Sequence, residues 1–167
     1  MLQVAINIED DAWQGITADI EQACQAVLAE SWQLLENQGI DLPPVAWVSV
    51  QLAGDDRLHQ LNRDFRGKDK PTNVLSFPSA AQPQGQGDAP APLGDLALSV
   101  QTVQCEATDQ GKPVDQHLAH LLMHGLLHLL GYDHENDADA AVMERLEIDM
   151  LAAMQIPNPY EQPRSEA

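Results

Sequence analysis

Leu2, Val4, Ile6 and Ile8 alternate with Gln3, Ala5 and Asn7, and a period of two predicts a strand with one buried face. From Ile16 the period lengthens. Ile16, Ile20, Ala23, Val27, Ser31 and Leu34 recur every three or four positions, the spacing of an amphipathic helix that stops near Gly39. Cys24 lies beside that stripe and reads as a core thiol. Pro43 and Pro44 break the chain, and Val45 to Leu52 predicts a second strand. Leu58, Leu61 and Phe65 predict a short helix ending at Gly67, and Thr72 to Phe77 a short strand closed by Pro78. Residues 79–92 are rich in Pro, Gly, Gln and Ala without any period, which predicts a flexible surface loop rather than a domain linker. Gly94 to Val100 alternates again. Helical spacing opens at Val103 to Thr108, is interrupted at Gly111-Lys112-Pro113, and returns over Val114 to Leu130 and Asp137 to Met154. In the last of these, Ala138, Val142, Leu146 and Met150 share a face. Pro157, Pro159 and Pro163 mark residues 157–167 as a Pro-rich, frayed C-terminal tail. Strands mixed with helices over residues 1–156 predict one α+β domain: a small mixed β-sheet of about four strands with packed helices.

Composition narrows the class. The 167 residues are 44% apolar and 4% aromatic, enough for an aliphatic core and too much for a disordered chain. No run reaches the roughly 20 apolar residues of a membrane span. The longest candidate, Leu118 to Leu130, is interrupted by His120, His124 and His128. The first residues carry no basic, apolar leader pattern, and two cysteines without a C-x-x-C make no disulfide framework. A cytoplasmic protein with no membrane partner is expected. The charge is lopsided, with 26 acidic residues against 8 basic ones and a formal net of −18. Such a surface repels phosphates at long range. Five of the eight basic residues nevertheless fall together, at Arg57, Arg63, Arg66, Lys68 and Lys70, opposed only by Asp64 and Asp69. A polyanion would be handled there; the plainer reading is a solvated helix face and loop.

The chemistry concentrates in HGLLHLLGYDH, residues 124–134. His124 and His128 stand four residues apart, so on a helix both imidazoles leave one face about 6 Å apart along the axis. Gly131 suits a left-handed turn that reverses the chain and brings His134 back to that face. Three neutral imidazoles and an open fourth position describe a catalytic zinc site. The spacing overlaps the elongated zinc signature of metzincin proteases with one departure. Position 125, where such a protease carries its general-base Glu, is Gly. Glycine has no side chain to move a proton, which disfavours peptide hydrolysis. Phosphodiester cleavage asks less of a side-chain base, because an activated water or the RNA's own 2′-hydroxyl can attack.

HGLLHLLGYDH, with RGKDKPTNVLSFP from Arg66 to Pro78 and LGDL from Leu93 to Leu96, resembles the bacterial YbeY family over about residues 45 to 155. That family comprises zinc-dependent, single-strand-specific endoribonucleases of ribosomal RNA maturation, with a reduced, metalloprotease-like fold. The resemblance implies one Zn2+ held by His124, His128 and His134, and a functional role for Arg66. It also implies a single-stranded RNA substrate, the 16S rRNA 3′ end and ribosome quality control as the setting, and ribosomal or ribosome-associated partners. Arg66 is suited to clamp a phosphodiester with its fork of donors. Arg63, Lys68 and Lys70 are candidates for backbone phosphate contacts. His120, one turn before His124, and Asp133 are candidates to orient a ligand imidazole from behind, with Glu135 as a further carboxylate. His117 is expected exposed at the helix start and His59 on the surface. Two rivals stand beside this reading: a non-catalytic ribosome-assembly factor with a structural metal, and a peptidase whose base comes from another element.

Overall fold

In a computed structural model describing residues 1–80 and 89–161, the chain forms an α+β fold on a four-stranded mixed sheet. Its strands are β1 (Leu2–Ile8), β2 (Ala46–Ala53), β3 (Val74–Pro78) and β4 (Ala91–Ser99), in the spatial order β1-β2-β4-β3. β1 and β2 run parallel, as do β2 and β4, whereas β3 is antiparallel to β4 and forms an edge. The helices are α1 (Ile20–Asn37), α2 (Asp55–Arg66), α3 (Val100–Gln110), α4 (Val114–Leu129) and α5 (Asp137–Ala153).

Alternation along the strands divides the helices between the two sheet faces. Val48, Val50 and Leu52 of β2 and Leu96 and Leu98 of β4 point into the main core with α1, α4 and α5. The intervening Ala53, Ala97 and Leu75 meet Leu58 of α2 on the opposite face. Parallel neighbours with helices on both sheet faces are the usual outcome when crossover connections are helical.

Four expectations shift. The first long helix begins at Ile20, where the Asp19 side chain accepts from Gln22 N–H at 3.1 Å. Before it, a 3₁₀ turn at Asp11–Gly15 drives Trp13 fully into the core, its indole donating to Ala53 O at 2.7 Å. The buried face of α1 is Ile20, Cys24, Leu28, Ser31, Trp32 and Leu35; Val27 and Leu34 sit half-buried at its border. The bulkier Trp32 and Leu35 decide the rotation, and Cys24 stands inside the stripe. On α5 the buried set is Met143, Leu146, Glu147, Met150 and Leu151, with Val142 54% exposed. Finally, β4 starts at Ala91, within the stretch expected as loop; residues 81–88 lie outside the described ones. Pro92 precedes a register shift at which Leu93 is the extra residue and Gly94 takes φ +133°. A proline lacking its N–H is tolerated at such a strand start.

Burial pushes the Cys24 thiol up to about 12, while Cys105 is exposed. Thiol titration of the native protein with an aromatic disulfide should therefore count one reactive cysteine, and two in denaturant. Two in the native protein would contradict the core placement.

Candidate metal centre and cleft

α4 carries the first two histidines, and the turn after it carries the third. Gly131 adopts φ +100°, and Tyr132 N–H returns to Leu127 O at 3.0 Å. The chain thus reverses, and the rings of His124, His128 and His134 converge with centroids 4.6, 5.0 and 5.7 Å apart. One ring nitrogen from each lies within 4.8 Å of those from the other two.

The donor set fits a zinc ion. Glu147 is completely buried, and its Oε1 lies 2.5 Å from His124 Nδ1. A carboxylate only accepts, so Nδ1 carries the proton and Nε2 keeps its lone pair toward the cleft. That Nε2 faces His128 Nε2 at 3.1 Å, close to the ~3.3 Å expected between two ligands of one tetrahedral zinc. Burial, then the neighbouring His124 and His134, lowers the His128 pKa and favours its neutral, ligating form. Burial alone would raise the Glu147 carboxyl, but the facing His120 imidazole and hydrogen bonds from His124 and Tyr160 hold it down to about 2.

Glu147, which the sequence did not single out, takes the role expected of Asp133. Asp133 Oδ1 accepts from the backbone N–H of His134 at 2.7 Å, which shapes the turn. The carboxylate that meets a triad imidazole comes from α5. Helical Glu residues usually read as solvated; the available signal was that Glu147 lies between Leu146, Met150 and Leu151 on the apolar face. His120 does adjoin the centre, with Nε2 3.4 Å from Tyr160 Oη and 3.6 Å from Glu147 Oε2. Its buried Nδ1 has no partner among the described residues. Tyr160 belongs to the stretch expected to fray. Its hydroxyl donates to Glu147 Oε2, and its ring packs edge-on against His120.

The triad opens into a cleft of about 1030 Å3 between α4 and the β3 edge. Hydrogen bonds from Ser99 N–H to Asn73 O and from Ser79 N–H to Leu93 O place the odd residues of β3 against β4. Ser76 O therefore faces outward, where Arg66 Nη2 donates to it at 2.6 Å. The remaining Arg66 donors are without partners among the described residues. Lys68 and Lys70 line the cleft with Arg66, and so does Lys112, which sequence reading did not single out. Arg63 is not in the lining; it turns to Asp64 at 3.1 Å. Arg57 pairs with Glu9 at 2.7 Å at a separate, acidic depression.

Gly125 sits where α4 crosses the sheet. A Cβ there would lie 2.8 Å from Leu96 Cδ2 and 3.4 Å from Ser76 Oγ. Any side chain there must displace the tip of Leu96, so the missing base coincides with a tight helix–sheet contact.

His117 is 3% exposed rather than on the surface, and its Nε2 meets Glu106 Oε1 at 2.9 Å. Asn73 Nδ2 donates to the same carboxylate at 3.0 Å while its Oδ1 accepts from Val74 N–H. Glu106 thus ties the end of the basic loop to α3 and α4. His59, half-exposed, meets Asp69 Oδ1 of that loop at 2.6 Å. Burial raises the Glu106 carboxyl, but its hydrogen bonds to His117 and Asn73 outweigh that and hold it below 4.5. A depressed folded pKa gives stability that is present above the unfolded value and lost as pH falls through the folded one. The melting-temperature gap between wild type and Glu106→Gln should therefore be widest near neutrality and close below about pH 4.5. A gap independent of pH would contradict the network.

Fold and site define a class: an α+β protein with an open three-imidazole centre in a cleft rimmed by basic side chains. A model of the family described as Endoribonuclease YbeY matches residues 6–155. Endoribonuclease YbeY of Rhodopseudomonas palustris is 50% identical over 163 residues, covering 93% of this chain and 79% of that protein. The protein of the same name from Azorhizobium caulinodans is 41% identical over 162 residues, covering 97% and 98%. The solution structure of TM1509 from Thermotoga maritima matches the fold with a TM-score of 0.55 at 21% identity, covering 100% of this chain and 99% of that one. The chain belongs to the YbeY family, whose curated members carry the name of an endoribonuclease.

Proposed function

We propose that the protein is a zinc-dependent endoribonuclease that cuts single-stranded RNA, with the 3′ end of 16S rRNA as its substrate and ribosome quality control as its setting. Residues 1–156 act as a single catalytic domain in the cytoplasm, with ribosomal or ribosome-associated partners delivering RNA to an otherwise acidic surface. The observation that carries this reading is the convergence of three imidazole nitrogens on a cleft whose opposite rim holds Arg66.

His124, His128 and His134 hold the ion, and Glu147 keeps His124 in the ligating tautomer. Zinc there supplies Lewis acidity toward a phosphoryl oxygen and acidifies water. Arg66 is anchored by one nitrogen to Ser76 O, which leaves other donors for the scissile phosphate and its growing charge. Lys68, Lys70 and Lys112 contact flanking phosphates, and Arg63 adds long-range attraction from outside the cleft. The Gly125 contacts speak against the peptidase reading.

The test is cleavage of an end-labelled single-stranded RNA by zinc-loaded wild type, by the same protein after chelation, and by Arg66→Ala. Wild type should cut, zinc should restore the chelated sample, and Arg66→Ala should retain its zinc while losing about 100- to 1000-fold in rate. No cutting by zinc-loaded wild type, with metal loss lowering only the melting temperature, would favour an assembly factor with a structural metal. Equal cutting by Arg66→Ala would remove its catalytic role.

A further inference from the structure

Both phenylalanines of this chain meet at one place, beside Arg66. Their centroids are 5.5 Å apart at an interplanar angle of 70°. Phe77, on β3, is partly buried against the α2 side of the sheet, and the Arg66 guanidinium carbon sits 5.7 Å from its ring centroid. Phe65 is different. It occupies the last turn of α2 and is 67% exposed, more than the other exposed large hydrophobic residues, Met1, Trp47, Val142 and Tyr160. An aromatic ring two-thirds exposed on a helix as polar as DDRLHQLNRDFR gains little for folding beyond its edge-on contact with Phe77.

We propose that Phe65 is a stacking platform for a nucleobase of the RNA strand that crosses the β3 edge over Arg66. The proposal rests on the endoribonuclease reading and names a binding subsite for it. Contiguity supports it: Arg66 lines the cleft, reaches Ser76 O on the open edge of β3, and lies against Phe77, which Phe65 touches edge-on. A strand leaving the histidines by this rim meets a cation for its phosphate and then a ring for its base. Charge favours RNA as the occupant. Arg63, Arg66, Lys68 and Lys70 lie within five positions of Phe65 on a chain of net charge −18, so this is the segment to which a polyanion is drawn. Leu58 and Leu75, which pack with Phe77, are buried, which leaves an exposed ring rather than the broad patch that protein docking uses. Every base has a π-face, so such a platform tolerates sequence. It also discriminates against duplex, whose bases are already stacked on one another.

The experiment measures binding of zinc-loaded protein to a fluorescent, 2′-O-methylated single strand of about 12 nucleotides, which resists cleavage. Stacking of one base on an aromatic side chain corresponds to roughly a 5- to 150-fold change in affinity. Phe65→Leu should bind about 5- to 20-fold more weakly while staying folded, its melting temperature falling by a few degrees at most as the edge-on contact with Phe77 is lost. Its dependence on salt should match wild type, because no phosphate contact is lost. Phe65→Trp should bind at least as well as wild type, and its added indole emission should fall on titration with the strand. Wild-type affinity in Phe65→Leu would overturn the proposal, and so would failure of Phe65→Trp to exceed Phe65→Leu, since a ring would then be unnecessary. Arg66→Ala separates the two levels. If wild type binds and Arg66→Ala weakens it while Phe65 variants do not, the stacking site fails alone; if wild type does not bind and Arg66→Ala changes nothing, the RNA reading fails with it.

Discussion

Gly125→Glu, the substitution that would complete the protease-like signature, is expected to damage the fold and to yield no peptidase. A Cβ at this position already falls 2.8 Å from the completely buried Leu96 side chain. In Gly125→Ala, overpacking of about 1–3 kcal/mol is set against about 1 kcal/mol of improved helix propensity. The net loss is therefore modest. Glutamate adds a carboxylate that must either be buried beside Leu96 without a partner or pry α4 from the sheet. That places its cost at about 4 kcal/mol or more, a fall of roughly 10 °C or more for a chain of this size. Thermal unfolding of both variants checks the ordering. A Gly125→Glu protein as stable as wild type would mean that the helix and sheet do not pack as closely as described.

His128→Ala should abolish both zinc binding and RNA cleavage while leaving a folded protein. Its imidazole is half-buried and faces His124 across 3.1 Å, so removal takes away one of three ligands without opening the core. Zinc at 100 times its dissociation constant stabilises a protein by about 2.7 kcal/mol, or roughly 5–10 °C here. Wild type and Arg66→Ala should show that rise, and His128→Ala should not. Glu147→Gln should fall between them, with affinity lowered about 10- to 100-fold, because it weakens the acceptor that holds His124 in its ligating tautomer. A zinc-dependent rise in His128→Ala would place the ion elsewhere, for example among His120, His124 and Glu147, which also lie within ligand distance.

Much of the centre was legible because its information is local. Four residues of helix set His124 and His128 on one face, and a glycine able to take φ +100° returns His134 to them within the same turn. The basic loop was legible as a cluster for the same reason. Contributions from distant segments were not. Glu147 arrives from the next helix, Tyr160 from a stretch whose prolines suggested fraying, and Lys112 from the α3–α4 junction; periodicity carries no signal for such meetings. Burial of His117 likewise needed Glu106, eleven positions away, as its partner.

The sequence by itself determined the α+β class, the helical spacing of the clustered imidazoles and the absence of a side chain at position 125, because each follows from short-range geometry or from residue identity. Tertiary structure alone decided which faces of α1 and α5 are buried, which cations line the cleft, which carboxylate fixes His124, and that Phe65 is left bare beside Arg66. Those outcomes depend on competition among side chains for a shared core and on contacts across the sheet, where the energy of one placement is set by residues far away in the chain.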